Sequence, residues 1–119
     1  MSSNDTADCL FCRIASGEIP GDIVYQDEDL IAFNDINPQA PTHVLIVPRR
    51  HIATLNDLAA DDVSLVGRLI HRATAIAAER GHAEAGYRTV FNCNAEAGQT
   101  VFHIHLHLLA GRSMTWPPG

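Results

Sequence analysis

Three histidines at alternate positions stand in the run Phe102-His103-Ile104-His105-Leu106-His107-Leu108. Successive side chains of a strand point to opposite faces, so this run predicts a strand with three imidazoles on one face. Phe102, Ile104, Leu106 and Leu108 would enter the core together. At ~3.3 Å per residue, neighbouring imidazoles would sit about 6.6 Å apart. Three chemistries use such a row. Alternate strand positions can give two ligands to one metal ion. An imidazole with a pKa near the working pH serves as general acid or base. A neutral imidazole held as N–H at one nitrogen can present the other as a nucleophile. Free imidazole, with a pKa of about 6.5, is already mostly neutral at pH 7. Neighbouring imidazoles oppose further protonation, and the central ring feels this from both sides. His105 is therefore the expected nucleophile.

Two other stretches carry chemistry. Asn92-Cys93-Asn94-Ala95-Glu96-Ala97-Gly98-Gln99-Thr100 leads directly into the histidines. It offers amide and hydroxyl donors, with a glycine that lets backbone N–H groups approach an oxyanion, and so reads as a phosphate cradle. Cys9-Leu10-Phe11-Cys12 has the spacing of half a zinc site, with a redox dithiol as its rival. Cys93 reads as a small buried strand residue, and His43, His71 and His82 as structural or solvated.

These residues need a frame. Cys9 to Ala15 is a short segment of mixed apolar and basic character that Gly17-Glu18-Ile19-Pro20 stops. Ile23-Val24-Tyr25 and Leu30-Ile31-Ala32-Phe33 predict a hairpin turned by Asp27-Glu28-Asp29. Asn37 to Pro41 reads as a loop, and His43 to Val47 as a buried strand ended by Pro48. The long helix is expected from about Asp61 to Arg80, with Gly81 at C′. Val63, Val66, Ile70, Ala73 and Ala77 would form its apolar stripe. Tyr87 to Asn92 and Val101 to Leu109 complete five strands. The expected fold is α+β, an antiparallel sheet with one long helix and a short N-terminal helix.

The chain has 119 residues, 46% of them apolar and 18% charged, which fits one globular domain over 1–119. Residues 1–8 are expected to be a flexible start and 111–119 an extended tail. The net charge of −6 argues against a nucleic-acid partner, which needs clustered Lys and Arg. The polar start MSSNDTAD lacks a secretory profile, and no apolar run approaches the ~20 residues of a membrane span. Three cysteines cannot all pair, so a reducing cytoplasm without membrane association is expected.

His103-Ile104-His105-Leu106-His107-Leu108-Leu109 resembles the signature of the histidine triad superfamily, His-φ-His-φ-His-φ-φ with φ apolar. Residues 32–43, 98–103 and 111–119 are similar to its Hint, or nucleotide-binding, branch, and the likeness runs from about Cys9 to the C-terminus. The resemblance implies a homodimer with a five-stranded sheet per subunit. It implies hydrolysis of purine nucleoside phosphoramidates to a nucleoside monophosphate and an amine. His105 would form a nucleotidyl-histidine, with His107 at the phosphate and leaving group and His103 completing the triad. Asn92, Gln99 and Thr100 would hold phosphate oxygens, and Asp35 the ribose hydroxyls. Phe11, Ile14, Ile36 and Leu45 would line the base pocket, although taken alone these four read as core. It further implies a structural zinc on Cys9, Cys12, His51 and His103, closed to catalysis, so that no cofactor is required for the reaction. Asn34, Cys93 and Ala110 depart from the common pattern, and Asn34 bears on base preference.

Two other functions fit the same residues. One is a metallohydrolase whose three strand histidines hold a catalytic ion, weakened by the absence of Asp or Glu in the strand. The other is a non-catalytic purine-nucleotide-binding scaffold.

Overall fold

The computed structural model describes residues 8–119, so the expected flexible start falls, except for Asp8, outside the described residues. The elements run α1 (Leu10–Ala15), β1 (Ile23–Gln26), β2 (Leu30–Asn34), β3 (Thr42–Pro48), α2 (Val63–Glu79), β4 (Tyr87–Val90) and β5 (Leu106–Ala110). Single 3-10 turns lie at Leu55–Asp57, Ala60–Asp62 and Ala95–Ala97. The five strands make one antiparallel sheet in the order β1-β2-β3-β5-β4. Among the described residues no helix is long and apolar enough to cross a membrane.

The hairpin forms as its sequence dictates. Asp27 Oδ1 accepts from the backbone N–H groups of Asp29 and Leu30, closing the acidic turn between β1 and β2. β2 and β3 are buried on both faces, which explains their unbroken apolar runs. One face, with Leu30, Ala32, Val44, Ile46, Leu106 and Leu108, packs under α2. The other, with Ile31, Phe33, Leu45 and Val47, packs against Cys9 and Phe11 around α1. The site lies on this second face.

α2 is shorter than expected, and its stripe is rotated. Leu65, Leu69, Ala73, Ile76 and Ala77 are buried, whereas Val63 is 70% and Ile70 43% exposed. Two nearly equivalent apolar stripes were available, and the one richer in leucine meets the sheet. Gly81 occupies C′ with φ +82, as its type requires.

β5 begins at Leu106 rather than at Val101, and β4 ends at Val90 before Asn92. Residues 101–105 leave the sheet because Ile104 N–H donates to Ile52 O at 2.8 Å, in the segment that follows β3. The alternation is broken accordingly. Ile104, Leu106 and Leu108 enter the core, but Phe102 is only half-buried while His103 is wholly buried.

Leu69 is fully buried at the centre of the α2–sheet core. Leu69→Ala should lower the unfolding free energy by about 2–5 kcal/mol, read by denaturant titration, because the rigid sheet cannot collapse into the void.

Candidate active site

The three histidines do not share one face. His103 turns inward and places Nδ1 3.3 Å from Cys9 Sγ and 3.5 Å from Cys12 Sγ. Its Nε2 lies 2.6 Å from Pro48 O and must carry the hydrogen, since a carbonyl only accepts. Nδ1 is therefore the bare nitrogen when the ring is neutral. His51 Nδ1 lies 3.4 Å from Cys12 Sγ, and its Nε2 is buried without a hydrogen-bond partner. The ligand atoms of Cys9, Cys12, His51 and His103 all fall within 4.8 Å of one another. Tetrahedral zinc, with bonds of about 2.3 Å to sulfur and about 2.0 Å to nitrogen, sets S and N about 3.5 Å apart, so the spacing fits. Burial, with the neighbouring Cys9, pushes the Cys12 thiol up to about 12. A bound cation would oppose that shift and favour the Cys12 thiolate.

α1 builds this cluster. Cys9 caps it, its Sγ accepting from Cys12 N–H at 3.3 Å, and so brings the two sulfurs together. The same helix lays Phe11 edge-on to His105, with ring centroids 5.0 Å apart.

His105 and His107 face a different space. His105 Nδ1–H donates to the carbonyl of His103 at 2.8 Å, so the bare nitrogen of the neutral ring is Nε2. Among the described residues Nε2 has no partner. Burial lowers the His105 pKa, the bond to His103 O and the charge of Asp35 oppose that, and His43 adds to it. His107 is lowered to about 4, by burial first and then by His105 and His43. The flanking-imidazole effect expected on the central ring is not what lowers His105, whose opposing imidazole is His43; it falls instead on His103 and His107, each lowered by His105 after desolvation.

His43 is the residue the sequence reading missed. Gln39 N–H donates to its Nδ1 at 3.0 Å, so the neutral ring carries its hydrogen on Nε2. That Nε2 lies 2.9 Å from His107 Nδ1 and 3.4 Å from Asp35 Oδ2. The hydrogen of neutral His107 is consequently on Nε2, as a donor. Burial lowers the His43 pKa, against the charge of Asp35. Register brings the two rings together: Leu45 lies opposite His107 and His43 opposite Leu109, so His43 and His107 are diagonal neighbours on one face of β3 and β5.

A cavity of about 340 Å3 opens on this face. Phe11, Ile14, Ile36 and Leu45 all line it, with Asp35, Thr100, His105 and His107. Phe11 and Leu45 are also core, whereas Ile36 is 99% exposed at the mouth. Asn92 lies instead beside a second cavity on the far side of His107, with Arg88, Arg112 and the tail residues Met114, Thr115 and Pro118. Gln99 does not face either space. Its Nε2 donates to Ala53 O and Val101 O, and its Oε1 accepts from Asn94 N–H. Gly98 and Gln99 N–H groups also bond within the loop, so the loop is held by the donors expected at phosphate, and Thr100 remains at the cavity. Cys93 is half-buried in that loop, not in a strand. His82 Nε2 bonds Thr42 Oγ1 at 2.9 Å, and His71 is exposed.

Comparison with known proteins agrees with this arrangement. Residues 8–116 match the family described as scavenger mRNA decapping enzyme C-term binding. The purine nucleoside phosphoramidase of Escherichia coli K12 is 51% identical over 105 residues, 88% of each chain. A histidine triad family hydrolase from Legionella pneumophila superposes with a TM-score of 0.93 and 57% identity, covering 94% of this chain and 100% of that one. A zinc-bound histidine triad family protein from Mycobacterium smegmatis does so at 0.78 and 34% identity, covering 91% and 78%. With this fold, this extent of identity and the histidine run in place, the chain belongs to the histidine triad family, among relatives that include hydrolases.

Proposed function

We propose that this protein hydrolyses purine nucleoside 5′-phosphoramidates through a covalent nucleotidyl-histidine on His105. The observation that carries the reading is the His105 tautomer: Nδ1–H is tied to His103 O, and Nε2 is left bare beside the cavity. A lone pair fixed in direction is what attack on phosphorus requires. The identity to a phosphoramidase supplies the substrate class.

In the first step His105 Nε2 attacks the α-phosphorus and a P–N bond forms. The substrate's own P–N bond breaks, and its electron pair leaves with the amine, which takes a proton from solvent at the open side of the site. His107 Nε2–H donates to a phosphate oxygen or to the leaving nitrogen, and His43, aligned by Gln39 and Asp35, holds it in that tautomer. Water then attacks the phosphorus, the bond to His105 breaks, and nucleoside monophosphate is released. One water is consumed, its hydroxyl ending on phosphorus and its proton balancing the one given to the amine. Asp35 accepts from the ribose hydroxyls, Thr100 donates to phosphate, and Phe11, Ile14, Ile36 and Leu45 flank the base. Asn92, across His107, meets the leaving group's side.

Cys9, Cys12, His51 and His103 hold a structural zinc in this proposal, supported by their spacing and by the zinc-bound relative. Bound there, zinc supplies a fourfold cross-link between α1, the segment after β3 and the histidine run. Catalysis needs no cofactor. A homodimer and a cytoplasmic setting complete the reading; β4 is an end strand of the sheet, the kind of edge a second copy pairs with, and three free thiols suit a reducing compartment.

The metallohydrolase reading has less support. Among the described residues the three strand histidines do not form one ligand group, because His103 points to the thiols. Asp35, His43 and His107 do converge, but the His43 Nε2 hydrogen makes their contact a hydrogen bond.

Three outcomes are expected. His105→Asn should lower turnover of an adenosine phosphoramidate by at least about 10³-fold while nucleoside monophosphate still binds; retained turnover refutes the mechanism. Because the neutral form of His107 is required and its pKa is lowered to about 4, kcat/KM should stay level as pH falls through 6.5 and decline only nearer 4. An acid limb centred near 6.5 would contradict this. Chelator should lower the thermal midpoint by several degrees yet leave the initial rate intact at low temperature; prompt loss of rate favours a catalytic ion.

A further inference from the structure

His107 lines both cavities, with Thr100 in the first and Asn92 in the second, so residues 93–99 carry the chain from one space to the other. Within this loop Asn94 has φ +67 and ψ −174. Among the described residues it is the one non-glycine with positive φ. That region is nearly reserved for glycine, because any other Cβ crowds the backbone there. Asn94 does not offset the strain itself: its side chain is exposed and makes no hydrogen bond among the described residues.

Gln99 supplies the restraint. Its Oε1 accepts from Asn94 N–H at 2.8 Å, and its own N–H donates to Asn94 O at 3.1 Å. Both backbone groups of the strained residue are thus held by one neighbour. The other end of the amide donates to Ala53 O at 2.8 Å and Val101 O at 3.1 Å. Two carbonyls and one N–H around it admit a single orientation of the amide. The side chain is 6% exposed, so it sits where an unmade bond is costly. Ala53 follows Ile52, whose carbonyl takes Ile104 N–H, so the loop and the histidine run hang on the same segment.

We infer that Gln99 is a positioning residue for phosphate: by holding Asn94 in a conformation it would otherwise leave, it presets Asn92 and Thr100 on the two sides of His107. This rests on the nucleotide reading above. A slack loop would lose conformational freedom as phosphate arrived, and affinity would fall accordingly. A loop held in advance has already lost it. None of residues 92–99 lines the cavity assigned to the nucleoside, so nucleoside affinity is independent of the clamp.

The test measures calorimetric affinities for AMP and adenosine, whose ratio isolates the share of the phosphate. Gln99→Met keeps the side chain's length and loses its bonds; AMP should bind about ten-fold more weakly, with adenosine within about two-fold of wild type. Asn94→Ala touches nothing buried but tolerates positive φ less well, and should weaken AMP alone by about three-fold. Asn94→Gly removes the strain, so it should leave AMP affinity unchanged and, combined with Gln99→Met, restore about three-fold of the loss. A role in folding alone would lower both affinities together and show no rescue by glycine. Parallel losses of AMP and adenosine, an unweakened AMP in Asn94→Ala, or a double variant no better than Gln99→Met each overturn the inference. If Gln99→Met does not fold, Asn94→Ala against Asn94→Gly decides it. A phosphate-specific loss in a protein that turns over no phosphoramidate would sustain the inference and overturn the reaction proposed above. Equal kcat/KM for an adenosine phosphoramidate in wild type and Gln99→Met would do the reverse.

Discussion

The wholly buried ring of His103 constrains the rest of the site. An imidazole out of water must satisfy both nitrogens, and here one donates to Pro48 O while the other faces two sulfurs. The ring sits where residues 101–105 leave the sheet, held against the segment after β3 by the Ile104 N–H bond to Ile52 O. The displaced backbone then offers the His103 carbonyl to His105 Nδ1. One side chain thus joins the sulfur cluster to the tautomer of the next histidine.

The second organising force is desolvation. It is the largest influence on His43, His103, His105 and His107, and in each it favours the neutral ring. Neutral rings have two distinct nitrogens, so directional donors and acceptors exist only while they remain uncharged. Gln39 N–H at one end and His103 O at the other set the tautomers of the row. Asp35 pulls the other way, toward protonation, close to His43. The site holds lone pairs and donors in place rather than storing charge, which suits an anionic substrate in a chain of net charge −6.

Much of the frame was legible because it rests on local rules. The Asp27-Glu28-Asp29 turn, the unbroken apolar run of β3 and Gly81 after α2 each have short-range causes. The α2 stripe was misphased because Leu65-Leu69-Ile76 and Val63-Val66-Ile70 both satisfy helical spacing, and only the sheet chooses. The single face for three histidines failed for a related reason. Alternation fixes a face only while a strand continues, and Ile104 leaves β3 for Ile52. Gln99 looked like a phosphate donor because its type permits it, yet the loop consumes all its hydrogens. The role of His43 depends on register across β3 and β5, 64 residues apart, which no local pattern encodes.

Attack on phosphorus by His105 depends on where the hydrogen of its ring resides. Long-range 15N–1H correlation spectra of histidine-labelled protein distinguish the two tautomers of each ring. The spectra should show His105 protonated at Nδ1 and bare at Nε2 throughout pH 6.5–8, with His107 carrying its hydrogen on Nε2. A His105 found protonated at Nε2, or doubly protonated near neutrality, would contradict it.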